Sequence, residues 1–353
     1  MDDKYGDLII FDVSPKEHQG FSKKVCEILG VKLGDCEVKK FKDGESDIEI
    51  NDSVRGKNVF VFQSYVPPIG ERKYELELFM DAAGVGGCAN RINVVMPYLF
   101  GQRGERQTRA RQPVPAGVVA KDLMGQASSV LTIDVHTKGI QTVYNVLGIR
   151  FEHLEFSYVA TNIIMQRLKE NTDVVIGTVD VGGAKRARHL RDTIARAYEL
   201  KGEQLILPLA VGNKYRPKAN LAEVQDISGD VKDKDVFIID DIGDTLGSLY
   251  NSVKAYKEKG AKRVYAILCH PVLSEGSEEK LKLLFDENLL ENLYLGNTVP
   301  LKSFVKNYSK IKIIPLEPFI AEAIKRIHSD ISISGLHEYE NIMDIYDGDL
   351  NIS

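Results

Sequence analysis

Eight short apolar runs set the folding problem for this chain: "DLIIF", "KNVFVFQ", "RINVVMPY", "SVLTIDVH", "DVVIGTVD", "QLILPLAV", "DVFIIDD" and "RVYAILCH". Stretches with helical periodicity separate many of them. Strands that alternate with helices at this spacing build βαβ units, hence mostly parallel sheets flanked by helices. The four consecutive apolar residues Val236, Phe237, Ile238 and Ile239 mark a strand covered on both faces. At 353 residues the chain exceeds one core, since a domain takes roughly 100–200 residues. The runs form two comparable sets. The expectation is therefore two α/β domains, 1–150 and 151–336, with an acidic tail over 337–353. "PLEPFIAEAIKRIHSD" predicts a last amphipathic helix, with Phe319, Ala323, Ile324 and Ile327 on one face.

Charge and composition remove several function classes. Forty-six basic against fifty-one acidic residues give a net charge of −5, without the basic face of a nucleic-acid binder. No apolar run approaches the ~20 residues of a membrane span, and "MDDKYGDLIIFDVSP" lacks the apolar core of a secretion signal. Cys26, Cys36, Cys88 and Cys269 show no CxxC spacing, so neither a zinc site nor a disulfide framework is predicted. A cytoplasmic protein that binds neither membrane nor nucleic acid is the expectation.

The densest chemistry follows the seventh run. In "DVFIIDDIGDTLGS", Asp240 and Asp241 fall at the carboxyl end of the strand, where open α/β sheets bind ligands. Residues 243–248 then offer glycines, the Thr245 and Ser248 hydroxyls and the start of a helix, which together suit a phosphate monoester. Paired carboxylates beside a phosphate loop fit the vicinal hydroxyls of a sugar phosphate. Acidic residues after a strand also serve as helix caps, but not usually two together with DT and GS.

"DDIGDTLGS" resembles the phosphoribosyl-diphosphate loop shared by type I phosphoribosyltransferases and ribose-phosphate diphosphokinases. Further segments resemble the diphosphokinases. "FKDGESDIEI" is similar to the segment that enters the neighbouring subunit's nucleotide site, with Phe41, Asp43 and Glu45 at the matching positions. "PYLFGQRGERQTRARQPVPA" is similar to the arginine-rich nucleotide loop, with Arg103, Arg106, Arg109 and Arg111; cationic forks suit triphosphate oxygens. It departs from the usual Arg-Gln-Asp at Gly104 and Glu105. "TIDVHTKGIQ" places His136 at the family's position near magnesium and nucleotide, although Gln141 to Tyr144 read QTVY where the family has Gln-Gly-Phe-Phe. "GTVDVGGAKRARHLRD" puts Asp180 before a glycine pair, and an oxygen donor there suits magnesium. Residues 210–224, "AVGNKYRPKANLAEV", carry no apolar pattern and read as a mobile loop; they resemble the family's catalytic loop, with Lys214 and Arg216 retained and Tyr215 between them.

The resemblance runs in order from about residue 7 to 336. It implies two phosphoribosyltransferase type I-like domains and transfer of the diphosphoryl group of ATP to ribose 5-phosphate, with Mg2+ as cofactor. It implies that Asp240, Asp241, Asp244, Thr245, Leu246, Gly247 and Ser248 hold the ribose phosphate. Phe41, Asp43, Glu45, Arg103, Glu105 and His136 would bind ATP, His136 and Asp180 the metal, and Lys214 and Arg216 would be catalytic. A nucleotide site shared between subunits implies a dimer-based homo-oligomer, up to a hexamer. Three other readings stay open: a phosphoribosyltransferase, a relative with another nucleotide donor or ribose-phosphate acceptor, and a non-catalytic regulatory subunit of the same fold.

Overall fold

A computed structural model describes residues 7–215 and 224–346. These residues divide by their contacts into two units. The first holds residues 7–154 together with Thr298–Pro300 and Leu316–Gly335; the second holds Glu155–Asn297, Leu301–Pro315 and residues 336–346.

In the first unit, strands β1 (Leu8–Asp12), β4 (Asn58–Phe62), β5 (Arg91–Val95), β6 (Ser129–Ile133) and β7 (Arg150–Leu154) form a five-stranded sheet in that order. Every pairing is parallel. β2 (Cys36–Lys40) and β3 (Ser46–Ile50) make a separate antiparallel ribbon. Helices α1 (Gly20–Leu29), α2 (Ile69–Asp81), α3 (Pro115–Leu123) and α4 (Ile140–Val146) belong to the same unit. β4 and β6 are buried along their whole length, as parallel strands flanked by helices on both faces must be.

The second unit orders its seven strands β10 (Val224–Ser228), β9 (Leu209–Tyr215), β8 (Val174–Thr178), β11 (Asp235–Gly243), β12 (Arg263–Pro271), β13 (Asn292–Gly296) and β14 (Ile311–Ile314). Only β9 with β10 is antiparallel. Its helices are α5 (Phe156–Leu168), α6 (Ala184–Glu199), α7 (Gly247–Glu258), α8 (Ser277–Asp286) and α10 (Tyr339–Ile345), while α9 (Glu317–His328) belongs to the first unit.

The α9 assignment corrects the sequence reading, which gave residues 316–335 to the C-terminal domain. Phe319, Ala323, Ile324 and Ile327 are buried as their periodicity predicts, but in the first unit, where α9 lies against α1. A polar ladder explains the docking. Ser129 donates to Asn93 Oδ1 (2.7 Å), Asn93 donates to Asn58 Oδ1 (2.7 Å), and the Asn58 amide lies 3.0 Å from His328 Nδ1 at the end of α9. Arg91 adds a contact to Asp330 at 2.5 Å. Asn58 and Ser129, the first residues of β4 and β6, and Asn93, in the middle of β5 between them, are fully buried, so the bonds among them offset the cost of burying them.

Three other expectations change. Residues 210–224 are not simply a loop: Leu209–Tyr215 and Val224–Ser228 pair as strands, with Tyr215 opposite Val224. The sixth apolar run starts its strand only at Leu209, after Pro208, and Ile206 is largely exposed. The acidic tail contains α10, which buries Ile342, and the Tyr346 hydroxyl donates to the Pro315 carbonyl at 2.8 Å.

Candidate active site

β11 is the strand to which the second unit's chemistry is attached. Its first five residues are buried, and Asp240 and Asp241 follow at the carboxyl end. The Asp241 amide donates to Asp240 Oδ1 at 3.0 Å, so the two carboxylates share one corner. Arg186, near the start of α6, faces both, 3.8 Å from Asp240 and 3.4 Å from Asp241. Burial, and then the Asp241 carboxylate, push the Asp240 carboxyl well above the ordinary range, while Arg186 pulls the other way. Hydrogen-bond donors or a cation placed against this corner would relieve the repulsion between the two carboxylates.

Beyond the pair, the chain turns through Leu246, which takes a left-handed conformation (φ 61°) directly before α7. Two glycines there have different reasons. A Cβ on Gly243 would lie 2.6 Å from Leu268, so close packing demands glycine. A Cβ on Gly247 would meet nothing nearer than Thr245 Oγ1 at 3.8 Å, because open space lies above it. That space is a cavity of about 150 Å³ whose lining includes Asp180, Asp240, Asp244, Thr245, Gly247 and Ser248. The first amides of an α-helix have no acceptor within the helix, and its amino end favours an anion. Leu246 buries its side chain, so only its backbone is available to a ligand. Asp180 accepts from the Gly183 amide at 3.3 Å, which fixes its carboxylate at the start of a short 3₁₀ turn. A larger cavity of about 520 Å³, lined by Tyr158, His189, Arg196 and His337, contains none of the predicted residues.

Tyr256 of α7 sets the neighbouring strands. Its hydroxyl accepts from the Thr178 amide (3.0 Å) and lies within bonding distance of the Thr178 and Ala210 carbonyls (3.0 and 2.9 Å). The β8–β9 ladder ends there, after Ile176 and Gly177. β9 then continues paired with β10 and brings Lys214 opposite Gln225. Arg216 lies outside the described residues.

In the first unit the predicted residues gather into two places. The β2–β3 ribbon ends in a tight turn, where the Phe41 amide donates to the Glu45 carbonyl (2.9 Å) and Gly44 adopts a positive φ of 95°. Phe41 is 57% exposed, and Asp43 and Glu45 are exposed beside it. Where the ribbon enters that turn, Lys40 pairs with Glu71 of α2 at 2.8 Å and donates to Ser46 at 2.6 Å. The second place lies beyond the carboxyl ends of β5 and β6. Arg103, Arg106, Arg109 and Arg111 are exposed on the loop between β5 and α3, and His136 is exposed on the segment after β6. Gly104 departs from the usual glutamine for a visible reason: a Cβ there would lie 2.4 Å from the Pro115 side chain.

His136 belongs to the first unit and Asp180 to the second. Among the described residues, no three His, Cys, Asp or Glu side chains cluster as ligands for a metal ion. Arg186 is the residue that the sequence reading left without a role. Lys185, Arg186 and Arg188 all open α6, and nothing in their order says which one turns toward β11.

Two parallel α/β units, one carrying a carboxylate pair and an anion loop after its central strand, define a phosphoribosyl-handling fold of type I phosphoribosyltransferase form. Comparison with known proteins narrows the class. The family described as the N-terminal domain of ribose phosphate pyrophosphokinase matches residues 9–126, and the phosphoribosyl synthetase-associated domain matches 204–338. A ribose-phosphate pyrophosphokinase of Thermosipho africanus is 38% identical over 316 residues, covering 88% of this chain and 92% of that protein. One from Bacillus caldolyticus is 37% identical over 318 residues, covering 90% and 94%. The crystal structure of phosphoribosylpyrophosphate synthetase from Mycobacterium smegmatis superposes with a TM-score of 0.80 at 26% identity, covering 92% of this chain and 99% of that one. The chain belongs to the ribose-phosphate pyrophosphokinase family, and it is an enzyme.

Proposed function

We propose that the enzyme transfers the diphosphoryl group of ATP to the 1-hydroxyl of ribose 5-phosphate, yielding phosphoribosyl diphosphate and AMP. The observation that carries this reading is the corner of β11 and α7: adjacent carboxylates, a cavity above Gly247 and a helix amino end, in one turn of chain. Asp240 and Asp241 accept hydrogen bonds from the vicinal ribose hydroxyls. Asp244, Thr245, the Leu246 backbone, Gly247 and Ser248 surround the 5-phosphate, and Arg186 favours the ionised form of the carboxylates. The nucleotide is bound by Arg103 and His136, with Glu105 in the same loop. The exposed tip of the β2–β3 ribbon, Phe41, Asp43 and Glu45, serves the nucleotide site of a second copy, which makes the working unit a dimer-based homo-oligomer.

In the transfer, the 1-oxygen of the sugar bonds to the β-phosphorus of ATP. The bond from that phosphorus to the oxygen bridging it to the α-phosphate breaks, AMP leaves with the electron pair, and the 1-hydroxyl proton is released. Charge moves toward the bridging oxygen, so catalysis here is mainly positioning and charge stabilisation, which Lys214 and Arg216 supply. Asp180 is suited to a Mg2+ ion, offering a hard oxygen donor into the same cavity as Asp240 and Asp244; His136, in the first unit, is a separate candidate near the nucleotide's metal. When bound, Mg2+ offsets the repulsion among the phosphate oxygens. No helix among the described residues is long and apolar enough to cross a membrane, and a cytoplasmic setting suits these substrates.

Incubation of the purified protein with Mg2+, ATP and ribose 5-phosphate, followed by 31P NMR, should show AMP and phosphoribosyl diphosphate in equal amounts. Parallel reactions with other nucleoside triphosphates and ribose phosphates should be slower. Lys214→Ala should lower kcat by about 10²-fold or more, the scale of a lost transition-state contact, with an unchanged circular dichroism spectrum. Absence of AMP with every acceptor would overturn the reading.

A further inference from the structure

We infer that Gln102 and Glu105 are positioning residues: they clasp the segment after β6 and thereby hold Arg103 and His136 in a fixed relation. The inference rests on the reading of those two residues as nucleotide-binding. The segment from Asp134 to Thr137 is tied down at four successive residues. The Asp134 amide donates to the Leu154 carbonyl (2.8 Å), the Val135 amide to His153 Nε2 (3.1 Å) and the His136 amide to Gln102 Oε1 (2.7 Å), while the Thr137 hydroxyl donates to Glu105 Oε2. Asp134 is held in the left-handed region, φ 43°. A conformation that costs free energy persists when its surroundings over-determine it.

The last two acceptors come from the other loop, and Arg103 stands between them in sequence. Gln102 is fully buried, so its carbonyl is presented to the His136 amide out of competition with water. Gly104 allows the two grips to sit three residues apart, because it lies flat on Pro115, and its own amide closes a turn onto the Gly101 carbonyl at 3.0 Å. Arg103 is thus carried on a turn pinned on both sides to the segment that carries His136. A cation and an imidazole placed for one polyphosphate gain from such mutual fixing, since less freedom is lost when the ligand binds. On this view Glu105 acts through Thr137.

Amide hydrogen exchange and a kinetic cycle test the clasp. Gln102→Met keeps the size of the side chain and removes its acceptor. The His136 amide should then exchange at least tenfold faster, and kcat/KM for ATP should fall by about tenfold, the value of one buried hydrogen bond, while KM for ribose 5-phosphate stays unchanged. Glu105→Gln, which retains an acceptor for Thr137, should leave exchange at the His136 amide within about twofold of the parent, and Glu105→Ala should speed it further. In a His136→Ala background the Gln102→Met loss should shrink to less than about twofold, because a residue acting through another has nothing left to position. Unchanged exchange at His136 overturns the clasp. Losses that multiply across the two substitutions overturn the coupling. A His136→Ala enzyme that uses ATP normally overturns the coupling together with the nucleotide reading of His136, and the exchange result separates that failure from failure of the clasp.

Discussion

The two ends of β11 carry the same residue type and treat it in opposite ways. Asp235 opens the strand, fully buried, and its carboxylate receives Arg263 through Nε and Nη2 (2.9 and 3.0 Å), Arg167 Nε (3.0 Å) and Asn171 Nδ2 (3.0 Å). Burial alone would raise its pKa, but the hydrogen bonds from Arg263, Asn171 and Arg167 overcome that and hold it below the ordinary carboxylate range. Asp240, the sixth residue of the strand, stands beside a second carboxylate, faces Arg186 at 3.8 Å, and is pushed upward. A carboxylate with all its partners inside the protein is a structural part. A carboxylate pair whose mutual repulsion raises a pKa is relieved by donors or a cation that arrive from outside. Asn58 and Ser129, which open β4 and β6, repeat the first pattern together with Asn93 of β5, satisfying one another, and the segment beyond β6 bears exposed His136.

Breaking the closed end should have the largest effect on stability. Asp235→Ala leaves Arg167 and Arg263 without the carboxylate they share, and removing one partner of a buried ionic cluster costs about 3–5 kcal/mol. Urea unfolding should show that loss in the midpoint. A loss under 1 kcal/mol would mean that the cluster is not structural.

Breaking the open end should leave the fold alone and stop the chemistry. Asp240→Asn with Asp241→Asn keeps the shape of the corner and removes both charges. Charge-assisted hydrogen bonds contribute about 1.5–3 kcal/mol each, so kcat/KM for ribose 5-phosphate should fall by at least about 10²-fold, while the urea midpoint stays level or rises. A double variant that is unstable yet active would reverse the contrast between the two ends.

The open corner was the more legible of the two in the amino-acid sequence, for a physical reason. Its parts are local: a buried strand must end, and "DDIGDTLGS" places acids, glycines, hydroxyls and a helix start within one turn of chain. Partners that arrive from elsewhere were not legible. Arg186 reaches the pair from α6, Gln102 meets His136 across 34 residues, and Arg167 and Asn171 from one segment and Arg263 from another converge on Asp235. The same limit governed the fold. Periodicity identified the buried face of α9 but not its partner, since Phe319 and Ile327 announce that a surface covers them and not which one. The β9–β10 pairing escaped because its strands lack an apolar alternation; β9 is set instead by the Tyr256 hydroxyl on Ala210 and by Gly212 donating to Thr178 Oγ1 at 3.2 Å.

The smallest effect is the most discriminating, because the two ends should respond to pH with opposite signs. An unfolded aspartate titrates near about 3.9. Asp235 has a lowered pKa in the fold, so the unfolded chain binds the proton more tightly; its contribution to stability is present above about pH 4 and is lost as the pH falls toward its folded value. Asp240 has a raised pKa, so the folded chain holds the proton more tightly; its contribution is full below about pH 4 and declines as the pH rises through its folded value. Asp240→Asn removes that decline. In urea unfolding of the ligand-free protein in EDTA between pH 4.5 and 8, the parent should therefore lose stability relative to Asp240→Asn as the pH rises, by roughly 1–2 kcal/mol in all, less than the ceiling of about 1.4 kcal/mol per pH unit for one proton. Ribose 5-phosphate should flatten the parent's curve, because hydroxyl donors stabilise the ionised pair. A parent curve that runs parallel to the variant's would show that Asp240 is as well partnered as Asp235, and the carboxyl end of β11 would no longer differ in kind from its amino end.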